Sequence, residues 1–189
     1  GARDHRGVRP LSIGKLNGNY VLSSESCAFD LIGAEMIREV EPGEMVKITA
    51  QGLESMPIPV FEHIARPAHC VFEYIYFSRP DSFVFGANVD KVRRKLGRQL
   101  AKEHPVPGAD VVMGIPDSAT TSALGFSQES GVRYDIGLIR NHYIGRTFIL
   151  PAQQKRDFGV RIKFNPVKGV IKDKSLVVVD DSIVRGNTT

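Results

Sequence analysis

Hydrophobic and polar positions alternate differently in the two halves of this chain. Up to about residue 60 the apolar runs are short and broken by turn residues. Pro10 to Gly14 and Tyr20 to Ser24 read as extended segments joined at Asn17-Gly18, a two-residue hairpin signal, and Met45 to Thr49 follows the Pro42-Gly43 turn as another strand. Between them Phe29, Ile32, Met36 and Ile37 recur at helical spacing, which predicts a short helix over Ala28 to Ile37 with those side chains in the core. Met56 to Pro67 holds three prolines and no period, so a domain connection is expected there.

Beyond it the pattern lengthens. Val71 to Phe77 is aromatic and apolar, and Arg79-Pro80-Asp81-Ser82 reads as a turn. From Asn88 to Glu103, Val89, Val92, Leu96 and Leu100 mark one face of a helix whose other face is basic, and Pro105, Pro107 and Gly108 stop it. A βαβ unit follows: Asp110 to Ile115 as a buried strand, Pro116 to Ala119 as a tight loop, Thr120 to Ser130 as a helix, Gly131 as its cap, and Tyr134 to Ile139 as a second strand, together predicting a parallel sheet. Arg140 to Lys168 shows no clean period, and its positive charge favours a functional lid over a merely irregular loop.

The chain closes on Leu176 to Thr189, LVVVDDSIVRGNTT. A short β-branched run suits a strand buried on both faces, and ligands in open α/β sheets sit beyond the carboxyl ends of such strands. Asp180 and Asp181 fall at that edge. Paired carboxylates accept hydrogen bonds from two vicinal hydroxyls or hold a hard divalent cation, while Ser182, Gly186, Thr188, Thr189 and their amides can wrap a phosphate beside Arg185. The bland alternative is an ordinary strand and polar turn. The aspartate strand of a P-loop NTPase would need a G-x-x-x-x-G-K-[ST] partner, which this sequence lacks. Pro116 to Thr121, at the carboxyl end of the preceding strand, offers a second anion site through Asp117, Ser118 and the helix N-terminus, or simply a helix cap by Ser118 or Thr120.

Charge sharpens this picture. The whole chain carries +4, but Arg140 to Lys174 alone carries +7 and the remainder −3, which places the positive field immediately before the terminal loop and suits a polyanionic ligand. Few aromatics interleave with those cations, which argues against nucleic acid, although a solvated basic face remains an alternative. At 42% hydrophobic and 24% charged residues the composition is that of a globular protein, and no apolar stretch approaches the ~20 residues of a membrane span. Cys27 and Cys70 are too few for a disulfide framework, which favours a reducing compartment. Gly1 in place of an initiator Met, and a stop at Thr189 inside the terminal loop, read as an internal fragment.

The terminal run resembles the phosphoribosyl pyrophosphate loop of type I phosphoribosyltransferases. Cys70 to Ser82 (CVFEYIYFSRPDS), Asn141 to Ile149, Arg3 to Leu11, Ser24 to Asp30 and Glu39 to Glu44 narrow the resemblance to the glutamine phosphoribosylpyrophosphate amidotransferase (amidophosphoribosyltransferase) family. It implies an α+β and α/β architecture: residues 1–62 as the C-terminal portion of an N-terminal-nucleophile glutaminase domain, and residues 63–189 as a phosphoribosyltransferase domain truncated at the phosphate loop. The reaction implied is displacement of pyrophosphate from phosphoribosyl pyrophosphate by ammonia from glutamine, giving 5-phosphoribosylamine, the first step of de novo purine synthesis. The full-length protein would be the enzyme and the fragment inactive.

Carried over residue by residue, Ser118, Asp180 and Asp181 match metal-associated positions for Mg²⁺. Asp117, Ser182, Arg185, Gly186, Thr188 and Thr189 match substrate contacts, and Arg146, with Tyr143 and Gly145 nearby, matches the loop that covers the substrate. Arg140 stands where a Lys is common in the family. Cys70 aligns with a ligand of the 4Fe-4S cluster that many members bind, with a buried thiol as the alternative, and His63 and His69 show no metal spacing. Cys27 matches no catalytic position and is expected to be a buried small apolar residue. Further implications are a homo-oligomer acting in the cytoplasm (or a plastid, in a plant), with neither nucleic acid nor membrane as partner. A non-catalytic phosphoribosyl pyrophosphate-binding regulator is the rival reading; it explains the terminal run but not the glutaminase-like first sixty residues.

Overall fold

Asn17 and Gly18, at φ 48° and 84°, turn β1 (Ser12–Leu16) back onto β2 (Asn19–Ser23) in the computed structural model, which describes residues 1–59, 66–143 and 163–183. The hairpin expected from the Asn-Gly pair therefore forms, in the register Leu16 to Asn19 through Ser12 to Ser23. The chain divides into two compact units, Gly1–Val92 and Arg93–Thr189. The expected domain connection at residues 62–63 lies outside the described residues.

In the first unit, α1 (Cys27–Ile32) is shorter than the helix predicted over Ala28 to Ile37. Gly33 takes the left-handed conformation at φ 70°, the Ala34 N–H bonds back to the Phe29 carbonyl at 2.9 Å, and the chain leaves as β3 (Glu35–Glu39). Met36 therefore pairs with Gly14 of β1 instead of continuing the helix. The helical spacing was real, but a residue free of Cβ crowding together with an open strand edge ended the helix early. The result is an antiparallel sheet in the order β2-β1-β3. β4 (Glu44–Thr49) pairs with β5 (Gly52–Pro57), a strand not foreseen in the sequence. Ile13, Val40 and Val46 are buried between these layers and packed by Leu11, Tyr20, Leu22 and Leu53.

Val71 to Phe77, left without an assigned element on sequence, carries a π-helical turn over Glu73–Phe77. Its buried Glu73 receives Arg9 Nη1 at 2.6 Å and the Ser78 hydroxyl at 2.7 Å, so the carboxylate does not lie uncompensated in the interior. Arg79 to Ser82 forms the predicted turn, with the Ser82 N–H donating to the Arg79 carbonyl, followed by the two-residue strands β6 (Phe83–Val84) and β7 (Ala87–Asn88).

α2 (Val89–Glu103) keeps its predicted limits, but its buried positions are Val89, Arg93, Gly97 and Ala101. Leu96 and Leu100 are instead 45% and 38% exposed. Backbone contact explains the rotation: a Cβ on Gly97 would lie 1.9 Å from the Ser122 carbonyl oxygen, and one on Gly125 would lie 2.1 Å from that of Arg94. α2 and α3 (Thr120–Ser130) thus meet through glycines, not through the leucine stripe.

In the second unit β8 (Val111–Gly114) is buried at every position, α3 ends at Gly131 as predicted, and β11 (Leu176–Val179) lies parallel to β8 in the register Leu176 to Val111 through Val179 to Gly114. Ala101, Val112, Ala123, Phe126 and Val179 form the core, with Val132, Tyr134 and Val177 against it. The second strand of the βαβ unit is only half realised: Tyr134 makes a single parallel bridge to Val112, and regular structure resumes as β9 (Leu138–Arg140). β9 pairs antiparallel with β10 (Phe164–Pro166), so the ends of the span expected to be irregular carry a ladder, followed by α4 (Lys168–Ile171). β11 is not buried on both faces as its composition suggested, since Val178 is 40% exposed. Among the described residues no helix is long and apolar enough to cross a membrane.

Candidate functional site

Two loops leave the sheet from the same end of adjacent parallel strands. Ile115 N–H donates to the Val179 carbonyl at 2.9 Å, which ties the last rung of the ladder directly beneath Pro116 to Ala119 on one side and Asp180 to Ser182 on the other. Parallel neighbours lie about 4.8 Å apart. Asp117, Ser118, Asp180, Asp181 and Ser182 therefore converge at one carboxyl edge, where the sequence pattern placed them.

The Pro116–Asp117 peptide is cis, and the loop runs into α3 through the Ala119 N-cap, which receives no side-chain hydrogen bond. Neither Ser118 nor Thr120 caps the helix end there, so the first-turn amides of an eleven-residue helix face this edge without a side-chain acceptor at the cap. Gly114 lets the loop turn so closely, because a Cβ there would stand 3.0 Å from the Ala119 backbone.

Asp180 and Asp181 are half-buried and differ in environment. Asp180 Oδ1 accepts the Asp181 N–H at 2.8 Å. Burial pushes the Asp180 carboxyl above the usual aspartate range; its hydrogen bond from the Asp181 amide and the ammonium of Lys163 oppose that rise, and the neighbouring Asp181 charge adds to it. Asp181 Oδ1 accepts the Ser182 hydroxyl at 2.9 Å, while Asp181 Oδ2 is buried and has no hydrogen-bond partner among the described residues. A buried acceptor without a donor is open to a water, a ligand hydroxyl or a cation.

Magnesium characteristically uses one or two carboxylates plus substrate phosphates and waters, so this donor set fits it, with Asp180, Asp181 and Ser118 as the residues that would hold it. Among the described residues no group of three or more His, Cys, Asp and Glu gathers as a metal cage. An iron-sulfur cluster does not fit on this chain's own thiols: a 4Fe-4S cluster takes four, and the sequence has only the buried Cys27 and the half-buried Cys70. The Cys70 main chain donates from its N–H to the Val8 carbonyl and accepts at its carbonyl from the Glu73 N–H, and neither bond engages its thiol.

Two cations reach this edge: Arg140, which the resemblance had singled out, and Lys163, toward which only the charge count pointed. Arg140, at the end of β9, donates from Nη1 to Asp117 Oδ2, and its Nε is buried with no hydrogen-bond partner among the described residues. Lys163 lies close enough to Asp180 to act on its charge. Tyr143 is not drawn in; it is 99% exposed, and its N–H bonds locally to Asn141 Oδ1. Arg146, Arg185, Gly186, Thr188 and Thr189 lie outside the described residues.

No family model matches the chain. It is 51% identical over 186 residues to the amidophosphoribosyltransferase of Mycobacterium tuberculosis, covering 98% of this chain and 34% of that protein. To the amidophosphoribosyltransferase of Bacillus subtilis it is 50% identical over 188 residues, covering 100% and 39%. Among solved structures, a glutamine phosphoribosylpyrophosphate amidotransferase from B. subtilis complexed with ADP and GMP superposes with a TM-score of 0.87 at 51% identity, over 98% of this chain and 40% of that one. The chain is thus homologous along its whole length to these proteins and spans between about a third and two fifths of theirs.

Proposed function

From its kinship with the amidophosphoribosyltransferases, we propose that this chain forms part of an enzyme that joins ammonia, released from glutamine, to phosphoribosyl pyrophosphate with loss of pyrophosphate, giving 5-phosphoribosylamine at the start of purine synthesis. In that reading residues 1–62 close a glutaminase domain and residues 63–189 open the phosphoribosyltransferase domain. The protein would work in the cytoplasm as a homo-oligomer.

The observation that carries the reading is the pairing of two ligand loops on neighbouring parallel strands, with a buried Asp181 oxygen left without a donor. Asp180 and Asp181 accept the vicinal ribose hydroxyls, which orients the anomeric carbon toward the side where ammonia arrives. The first-turn amides of α3 that no side chain caps, together with the Arg140 guanidinium, would face the diphosphate. As the bond to pyrophosphate lengthens, positive charge grows on the ribose ring and negative charge on the leaving group. Acceptors at the ring and donors at the diphosphate lower the barrier because both match the charges that develop. Bound Mg²⁺ would supply further neutralisation of the diphosphate. Ser182, Arg185, Gly186, Thr188 and Thr189 would hold the 5′-phosphate, and Arg146 and Tyr143 would close over the substrate to exclude water, which otherwise competes with ammonia. Cys70 would serve as a cluster ligand only if the intact protein supplied further thiols.

Replacing Asp180 and Asp181 together by Ala in the intact protein should lower phosphoribosylamine synthesis from free ammonia by at least about a hundredfold. Retention of that activity by a folded variant would remove the role given to the pair. Rescue of a purine auxotroph by the wild-type gene tests the assignment as a whole.

A further inference from the structure

Resting on that reading, we propose that Asp117 is a built-in competitor for the diphosphate: its carboxylate holds the Arg140 guanidinium in the unliganded protein, and the arriving diphosphate takes that guanidinium over. The two members of the pair are unequal. Arg140 is anchored, since β9 pairs it with Phe164 and the next residue's N–H bonds to the Lys163 carbonyl at 2.8 Å. Its side chain is 32% exposed. Asp117 sits in the loop before α3 with its side chain 62% exposed, so it can swing into water at little cost.

A carboxylate cannot itself approach a diphosphate without an intervening cation, because both are anions. Its partner is the cation that a diphosphate at this edge would seek. A guanidinium carries five donors in a rigid fork, of which the structure shows one engaged by Asp117 and another, Nε–H, buried without a partner among the described residues. Exchange of one anion for another leaves the fork in place and supplies an acceptor to the vacant donor. A Lys at this position would offer three donors on a single rotating ammonium and no rigid fork to bridge two acceptors. Asp117 therefore keeps the cation aligned while the site is empty and weakens binding of diphosphate by the amount needed to displace it.

Titration calorimetry of the intact protein with Mg²⁺-free inorganic pyrophosphate tests the exchange. D117N should bind pyrophosphate at least about threefold more tightly than wild type, R140Q more weakly, and the gain from D117N should vanish in the D117N/R140Q double variant. R140K should recover part of the loss in R140Q. Unchanged or weaker binding by folded D117N overturns the proposal, and so does an equal gain in the double variant, which would trace to net charge instead. A parallel titration with phosphoribosyl pyrophosphate and Mg²⁺ separates the two claims. No binding by wild type in that arm would sink the functional reading; binding there with no effect of D117N on pyrophosphate would sink only the competitor.

Discussion

Glu44 shows how a single carboxylate can organise the first unit. It accepts Arg38 Nη1 and Nη2 at 2.8 and 2.6 Å, the Ser55 hydroxyl at 2.6 Å and the Glu41 N–H at 2.6 Å, while only 7% exposed. The Arg38 hydrogen bonds, helped by those from Ser55 and Glu41 against the cost of burial, hold its carboxyl down at about 2. Because folding lowers this pKa from 4.5, the stabilisation is complete above about pH 4.5 and is lost as pH falls toward 2. Urea unfolding followed from pH 6 to pH 2.5 should show a steep acid decline that Glu44→Gln flattens, and Arg38→Ala should cost about 2 kcal/mol at pH 7. Nothing in the sequence marked Glu44, since its partners come from three different segments. Cys27 was legible, and burial, as the first cause, pushes its thiol above the ordinary range.

Elements whose signals are local were readable in advance, and those that depend on partners were not. The Asn17-Gly18 hairpin, the strand from Val111, and the helix from Thr120 to its Gly131 cap each carry their instructions within a few residues. The face that α2 buries does not, because Leu96 and Leu100 give a stronger periodic signal than the glycine that touches α3. Gly97→Ala must force apart two backbones that lie in contact, which should cost about 3 kcal/mol in chemical denaturation. Leu96→Ala, on the exposed side, should stay within about 0.5 kcal/mol. Similar stability losses for the two would mean that the leucine stripe is buried after all. The strand expected over Tyr134 to Ile139 failed for a related reason: a Cβ on Gly137 would stand 2.1 Å from Met113 Sδ, so the chain passes close over β8 after one bridge rather than extending the ladder beside it.

For the whole molecule, the +7 of Arg140 to Lys174 directly precedes the Asp180-Asp181 strand in sequence, and Arg140 and Lys163 from that stretch reach its carboxyl edge. In the proposed function, association of the polyanionic sugar should therefore be steered and salt-sensitive: raising ionic strength from about 0.05 to 0.5 M should slow its stopped-flow on-rate by roughly tenfold or more while changing the off-rate less. An on-rate indifferent to salt would show that the cations face elsewhere. The acidic pair was legible because it sits in one continuous run, whereas the tie between Asp117 and Arg140 crosses twenty-three positions of sequence and exists only once β9 is placed. The antiparallel ladder of β9 with β10 has one more consequence. By pairing Arg140 with Phe164 it fixes both feet of the intervening segment side by side, like the posts of a gate. Closure at those posts means that a change in the number of residues between them is felt only as the logarithm of length, about 0.6 kcal/mol per doubling, so the guanidinium at its foot keeps its address whatever the length of the span.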